Sequence, residues 1–433
     1  MDICPFFQGN FAQTDILVTF ATTKTPLLQV QLPSEFIGQM KRLLPNEADA
    51  FLSACDATPP VSIRLNRKLS LSPAYERVPY AADGYYLPDR PKFTLDPWLH
   101  AGVYYVQEAG SMYLEEFFKR YAAEARYVLD LCAAPGGKST HLASLLDGRG
   151  LLVSNEVMPN RANILAENMT KWGYSNSYVC NNQPRDFARL GGGFDLIVTD
   201  VPCSGEGMFR KEPAAVRDWS LEAVAQCAER QRHIVADVWD ALKEGGTLLY
   251  STCTFNAEED ENNVRWIASK LSADLLDERH FYFHTGKNEG FYIAALRKTS
   301  PAPAPRVKPD KRQSPVEAAE AYLSKNLRCL KAGLVPFVEK GKDRVPTHAL
   351  AMSVDLDRSR WPVAELDGRT ALSYLHGEAI VLDAAVPKGY VLLCYRGVAI
   401  DWGKNLGNRC NNLYPDPWRI RMNVAGLDCE RVV

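Results

Sequence analysis

Residues 127–140 read YVLDLCAAPGGKST: a short β-rich run ending near Asp130, a turn with paired glycines, and the opening of a helix. Gly136 and Gly137 let backbone N–H groups approach a ligand closely, and the helix start favours a carboxylate or phosphate. Outward from this turn, as far as about Arg297, short β-rich runs alternate with longer amphipathic ones. The runs are YVLDL (127–131), LLVSN (151–155), SYVC (177–180), DLIVTD (195–200), GTLLYST (246–252) and FYIAAL (291–296), with helices expected after Gly137, Pro159, Ser220 and Ala257. That alternation predicts an α/β domain whose parallel sheet is covered by helices, with ligands at the carboxyl ends of the strands.

The 433 residues suggest roughly three domains at about 150 residues each. Residues 1–31 have no clear period and read as a leader. Residues 32–125 form an amino-terminal segment, helical from Leu32 and then β-rich through VSIRLNRKLS. The α/β domain takes 126–298. Residues 299–316 hold the stretch SPAPAPRVKPDKRQSP, whose alternating prolines cannot build a core and mark a semi-rigid basic linker. Residues 317–433 begin helical and continue as Gly-punctuated β text, a small separate unit. A formal net charge of -2 excludes a uniformly basic nucleic-acid binder but allows local patches. No apolar run is long enough to span a bilayer, and MDICPFFQGNF lacks the basic start of a secretory signal, so a cytoplasmic protein without a membrane partner is expected. The 11 cysteines include no C-x-x-C pair, which argues against a zinc site or disulfide framework and for free thiols in a reducing compartment. No metal is expected.

Three features carry chemistry. The loop Cys132, Ala133, Ala134, Pro135, Gly136, Gly137 and Lys138 would cradle a cofactor. A Walker A loop would need glycine at Cys132, so the methionine end of S-adenosylmethionine (SAM) fits better than a nucleoside triphosphate. Glu156 ends the second strand about twenty residues past the glycines, where an acid meets ribose hydroxyls. Arg161, on the following helix, is a weaker member of the set. DVPCSGEGMFRK (200–211) then places Asp200 and Cys203 at one strand end, and YSTCTFN (250–256) places Cys253 at another. A thiolate adding to carbon 6 of cytosine makes carbon 5 enamine-like and able to take a methyl group, while Asp200 could stabilise the adduct at N3 or the exocyclic amine. The base would have to leave its stack. The residues alone do not say which thiol attacks. Phe209–Lys211 would offer a ring and two cations to a nucleic-acid strand.

CAAPGGKST, DVPCSGEGMFRK and YSTCTFNAEEDE together resemble the motifs of the Sun-type RNA cytosine-C5 methyltransferases, in particular the RsmF-like bacterial branch acting on 16S ribosomal RNA. SIRLNRK (62–68), GVYYVQEAGSM (102–112) and GFYIAALRK (290–298) extend the resemblance over about 32–298. The segment from Gly389 to Arg421 resembles the PUA-like domain of that branch. The resemblance implies a Rossmann-like SAM-dependent core, an amino-terminal α+β segment facing RNA, and a small β-rich PUA-like domain. It implies that Cys253 is the nucleophile, that Cys203 assists product release, that Asp200 lies near the base and methyl donor, and that Glu156 holds the ribose. Where many relatives carry an aspartate on the third strand, this chain has CNNQP, so Asn182 (or Asn181, with Asp186 as fallback) is expected at the adenine end. The implied partner is 16S rRNA, free or within the small subunit, and a monomer is expected. The alternatives are the same chemistry on tRNA and a catalytically silent RNA-binding assembly factor. Lys404, Asn408, Arg409, Asn411 and Asn412 are the terminal domain's candidates for RNA contact, and Arg306, Lys308, Lys311 and Arg312 those of the linker.

Overall fold

The computed structural model describes residues 31–303 and 315–433; the expected leader, apart from its last residue, and the four basic linker residues lie outside them. The amino-terminal helical text forms two helices, Ser34–Leu43 and Ala48–Ala54, because Pro45 cannot continue the first. Their buried faces, Phe36, Met40 and Phe51, pack against Phe209, Trp219, Phe255 and Phe283. Three antiparallel strands follow, β1 (Val61–Leu65), β2 (Gly84–Leu87) and β3 (Tyr104–Val106), in the order β2-β1-β3.

The central sheet contains β4 (Tyr127–Asp130), β5 (Leu151–Asn155), β6 (Ser177–Cys180), β7 (Phe194–Asp200), β8 (Leu242–Thr252), β9 (Ala273–Phe281), β10 (Phe291–Lys298) and β11 (Cys329–Ala332). Its order is β11-β6-β5-β4-β7-β8-β10-β9. Strands β4 to β8 pair in parallel, while β10 runs antiparallel to both its neighbours and β11 antiparallel to β6. Successive residues of the parallel strands feed opposite faces. Leu129, Val153, Ile197 and Leu248 pack with Val235 and Ile267, whereas Val128, Leu152, Leu196 and Leu249 pack with Leu142, Leu165 and Met169. Burial of both faces explains why these strands read as continuous apolar runs. The six expected strands and four helices are all present, though the last helix starts at Glu261.

The proline-rich stretch does not divide the sheets. Strand β11 comes from beyond it, yet it extends the central sheet, with Cys329 directly opposite Cys180. Then come a hairpin, β12 (Phe337–Lys340) with β13 (Asp343–Pro346), and a second sheet, β14 (Val363–Leu366), β15 (Gly389–Tyr395), β16 (Val398–Asn405) and β17 (Cys410–Asn412), in chain order. This sheet shares one core with β1–β3: Ile63, Tyr85, Trp98 and Tyr104 pack with Leu372, Leu375, Val391, Tyr395 and Ile400. Trp98 Nε1 donates to the Tyr395 carbonyl at 3.1 Å, and buried Asp96 accepts from the Val432 N–H at 3.1 Å. Among the described residues no helix is long and apolar enough to cross a membrane.

Candidate active site

The turn after β4 leads directly into the helix Gly137–Leu146. Gly136 sits at φ 121°, a conformation that L side chains rarely adopt, which explains glycine at that position. Ala133 N–H donates to the Asn155 carbonyl at 2.8 Å and Leu131 N–H to the Val198 carbonyl at 2.9 Å, so the loop is anchored to the strands on either side of β4. Asp130 is fully buried beneath it and accepts from Ser139 Oγ at 2.6 Å; burial pushes its carboxyl up to about 7.

A cleft of about 180 Å³ opens above the loop, lined on one side by Cys132–Pro135, Gly137, Lys138 and Asp200 and on the other by Tyr105–Glu108 and Ser111. The second wall went unread as part of the site, although it lies in the quoted GVYYVQEAGSM. It is held rigidly: Arg64 donates to Gln107 Oε1 at 2.9 Å and Thr140 Oγ1 at 2.6 Å, while Glu108 accepts from the backbone N–H groups of Gly110 and Ser111, both at 2.6 Å. Lys138 pairs with Asp200 at 2.9 Å and lies over the Phe291 ring. Gly137 and Lys138, in the first helical turn where N–H groups lack intrahelical acceptors, line the same cleft as the Asp200 carboxylate, a pairing that suits an amino-acid carboxylate and ammonium. Desolvation and nearby carboxylates push the Cys132 thiol well above its usual range.

Glu156, Arg161 and Asn182 stand outside this lining. Glu156 is buried at the end of β5, accepts from Met158 N–H at 2.9 Å and faces Arg161 at 3.3 Å. Arg161 also donates to the Ala134 carbonyl at 2.7 Å, so it holds the glycine loop in shape. Asn182 faces the segment that becomes β11: its amide nitrogen donates to the Arg328 carbonyl at 3.1 Å and its amide oxygen accepts the Arg328 N–H at 3.0 Å. Each end of the amide thus helps dock that segment. Asn181 donates to the carbonyls of Glu156 and Val157, and Asp186 caps the short helix Pro184–Phe187.

Beyond Asp200 the two thiols meet. Asp200 Oδ1 accepts from Ser251 Oγ at 2.9 Å across the parallel pair β7/β8, which places the segments after both strands side by side. Cys203 Sγ and Cys253 Sγ are 3.0 Å apart, and both are free. Cys203 is buried, and its bond to Cys253 together with burial pushes its thiol well above the usual range; Cys253 is the more accessible. Glu206 and Glu259, also overlooked, sit fully buried within the same two motifs. The reading of Phe209–Lys211 as an RNA contact is overturned. Phe209 lies in the core at 4.8 Å from the Phe36 ring, and Arg210 and Lys211 both pair with buried Glu289.

In the carboxyl-terminal sheet, Asn412 is likewise a brace, donating to the carbonyls of Tyr374 and Glu378. Lys404 pairs with Asp343 at 2.7 Å, Asn411 is half-buried in β17, and Asn408 and Arg409 are exposed.

Comparison with known proteins follows the same division of the chain. Residues 32–109 match the N-terminal domain of 16S rRNA methyltransferase RsmF, 121–297 match 16S rRNA methyltransferase RsmB/F, and 362–420 match the methyltransferase RsmF PUA domain. Ribosomal RNA small subunit methyltransferase F of Pectobacterium carotovorum is 34% identical over 63% of this chain and 64% of its own. The chain therefore spans about two thirds of that relative, whereas the protein of the same name from Shewanella oneidensis aligns at 29% over 89% of this chain and 97% of its own. Among solved structures, a methyltransferase homolog from Pyrococcus horikoshii superposes with a TM-score of 0.55 at 25% identity, over 63% of this chain and 97% of that one. With three parts of one family matched in order around a cleft and a thiol pair, the chain belongs to the 16S rRNA methyltransferase RsmB/F family, in its RsmF branch.

Proposed function

We propose that this protein methylates carbon 5 of a cytosine in 16S ribosomal RNA, using SAM and a covalent adduct between Cys253 and carbon 6 of the base. The observation that carries the reading is the thiol pair, 3.0 Å apart, just past the ends of neighbouring parallel strands whose last paired residues are Asp200 and Ser251. Two thiols brought together at the ligand edge of an α/β sheet suit a reaction that must both make and break a carbon–sulfur bond.

The loop 132–138 and the first turn of its helix would hold the methionine end of SAM, with Glu156 at the ribose. When bound, the cofactor supplies the methyl group as an electrophilic sulfonium substituent. Cys253 Sγ, the more accessible thiol, adds to carbon 6 of a base flipped out of its stack. Asp200 holds a proton at N3 and so stabilises the electron-rich ring. Once carbon 5 carries the methyl group its proton passes to water acting as base, and the electron pair left behind breaks the carbon–sulfur bond and returns Cys253 as a thiolate. Cys203, buried and held in its protonated form, sits close enough to assist that departure. The terminal sheet would bind RNA through Asn408 and Arg409, in line with its match to a PUA domain.

The test is adduct trapping. Cys253→Ala should abolish methylation, and Cys203→Ala should accumulate a denaturation-resistant protein–RNA species; adduct from the opposite variant reverses the two roles. Bisulfite sequencing of rRNA and tRNA from a deletion strain identifies the substrate, and full 5-methylcytosine at every rRNA site would overturn the 16S assignment.

A further inference from the structure

We infer that Glu206 and Glu259 form a reciprocal clamp that fixes the spacing of the two thiols, and that they are positioning residues for the reaction. The inference rests on the functional reading above. Each carboxylate follows one cysteine and binds the segment that follows the other. Glu206, three residues after Cys203, accepts from Thr254 Oγ1 at 2.7 Å, Phe255 N–H at 2.8 Å and Asn256 Nδ2 at 3.1 Å. Glu259, six residues after Cys253, accepts from Ser204 N–H at 3.0 Å. Asn256 Nδ2 reaches both carboxylates, at 3.1 and 2.9 Å, and so joins the two halves.

Between the carboxylates the loops are laced directly. Gly207 N–H donates to the Cys253 carbonyl at 2.9 Å, Ser204 Oγ lies 3.2 Å from Thr254 Oγ1, and Cys253 N–H donates to Cys203 Sγ at 3.3 Å. Gly207 has no room for a side chain, since a Cβ there would lie 2.5 Å from the Gly290 carbonyl oxygen. The clamp is also braced from outside. Gln39 and Trp219 donate to Glu206 at 2.9 and 3.0 Å, and Gln231 donates to Glu259 at 2.7 Å.

Neither carboxylate has a cation partner among the described ion pairs, and both are fully buried. An uncompensated buried acid is costly, and two of them flanking one thiol pair are not required to fill space. What Glu206 supplies is acceptor capacity: five donors converge on it, and a carboxylate is the side chain that offers acceptor sites on both oxygens without presenting a hydrogen. A glutamine must turn its NH₂ toward a donor, which opens one side of the clamp with almost no change in volume.

The experiment compares Glu206→Gln and Glu259→Gln with wild type in the full chain, using two readouts. The first is the rate at which oxidised glutathione, itself reduced to two thiols, converts Cys203 and Cys253 to a disulfide, followed by mass mapping of the linked peptide. The second is kcat on rRNA, with SAM affinity by calorimetry. Both variants are expected to form the linked peptide at least about tenfold more slowly and to lose roughly 100-fold in kcat, as a misplacement near 1 Å does, while SAM affinity stays within about twofold. Wild-type linking and turnover in both variants would overturn the clamp. So would parallel collapse of turnover, SAM affinity and melting temperature, which would reduce the carboxylates to general scaffolding. Slower linking in a protein whose wild type methylates no cytosine would overturn the functional reading and leave the clamp standing.

Discussion

Lys138 Nζ lies 2.9 Å from Asp200 Oδ2, so the first turn after the glycine loop is tied across the cleft to the end of β7. The other oxygen of Asp200 is held by Ser251, two positions before Cys253. This carboxylate thus joins the cofactor side of the site to the thiol side. Asp200→Asn preserves the shape and removes the charge proposed to stabilise a proton at N3. It is expected to lower single-turnover methyl transfer about 10²–10⁴-fold. A rate within twofold of wild type would remove Asp200 from the chemistry.

Glu156 faces Arg161, which also holds the Ala134 carbonyl. Glu156→Ala should weaken SAM binding about 10–100-fold in calorimetry, the effect of losing a charge-assisted hydrogen bond. Arg161→Ala should act more weakly, through loosening of the loop whose Ala134 carbonyl it holds. Equal affinity for wild type and Glu156→Ala would end the ribose assignment.

Asp130 supplies a pH test independent of RNA. Its carboxyl is raised from an ordinary 3.8 to about 7 by burial, so the native state binds more protons than the unfolded chain between these values. Stability from this group is therefore present below about pH 4 and is lost as pH rises through 7. Asp130→Asn does not titrate and retains an acceptor for Ser139. The melting temperature of the variant minus that of wild type should increase by several degrees from pH 5 to pH 8, and a constant difference would contradict the burial argument.

Arg409 is exposed next to Asn408 between β16 and β17. If this edge meets phosphates, Arg409→Glu should weaken rRNA binding and reduce the salt slope of log K by about 1, with SAM affinity untouched. An unaltered slope would place the RNA contact of the terminal domain elsewhere. Deleting everything after Lys298 is a poorer test, because it strips β11 from the central sheet and the cover from β1–β3.

The parallel strands were legible because both their faces are buried and their residues are uniformly apolar. Strand β9 was not: ADLLDERHF lies at the sheet edge with most of its side chains exposed, so its charged text carries no strand signal. Strand β11 escaped for another reason, since its partner lies about 150 residues upstream and only tertiary pairing reveals it. In the site, the glycine loop and the thiols announce themselves by residue type. The contacts of Arg210, Asn182 and Asn412 have one reason for being illegible. A cation or amide in a loop looks the same in sequence whether it awaits a ligand or satisfies buried backbone and carboxylate groups, and here it does the latter. Glu206 and Glu259 were missed for the reverse reason, as acids in a polar string whose complete burial the string does not disclose.

The core that β1–β3 share with the carboxyl-terminal sheet bears on how the protein is born. Asp96 and Val432 are 336 residues apart, and the strands that cover Ile63, Tyr85 and Trp98 are translated long after these residues have left the ribosome. Contacts of such separation form late and slowly. The nascent chain thus carries an uncovered apolar face through most of its own synthesis, and this protein should depend on chaperone protection more than its ordinary composition suggests.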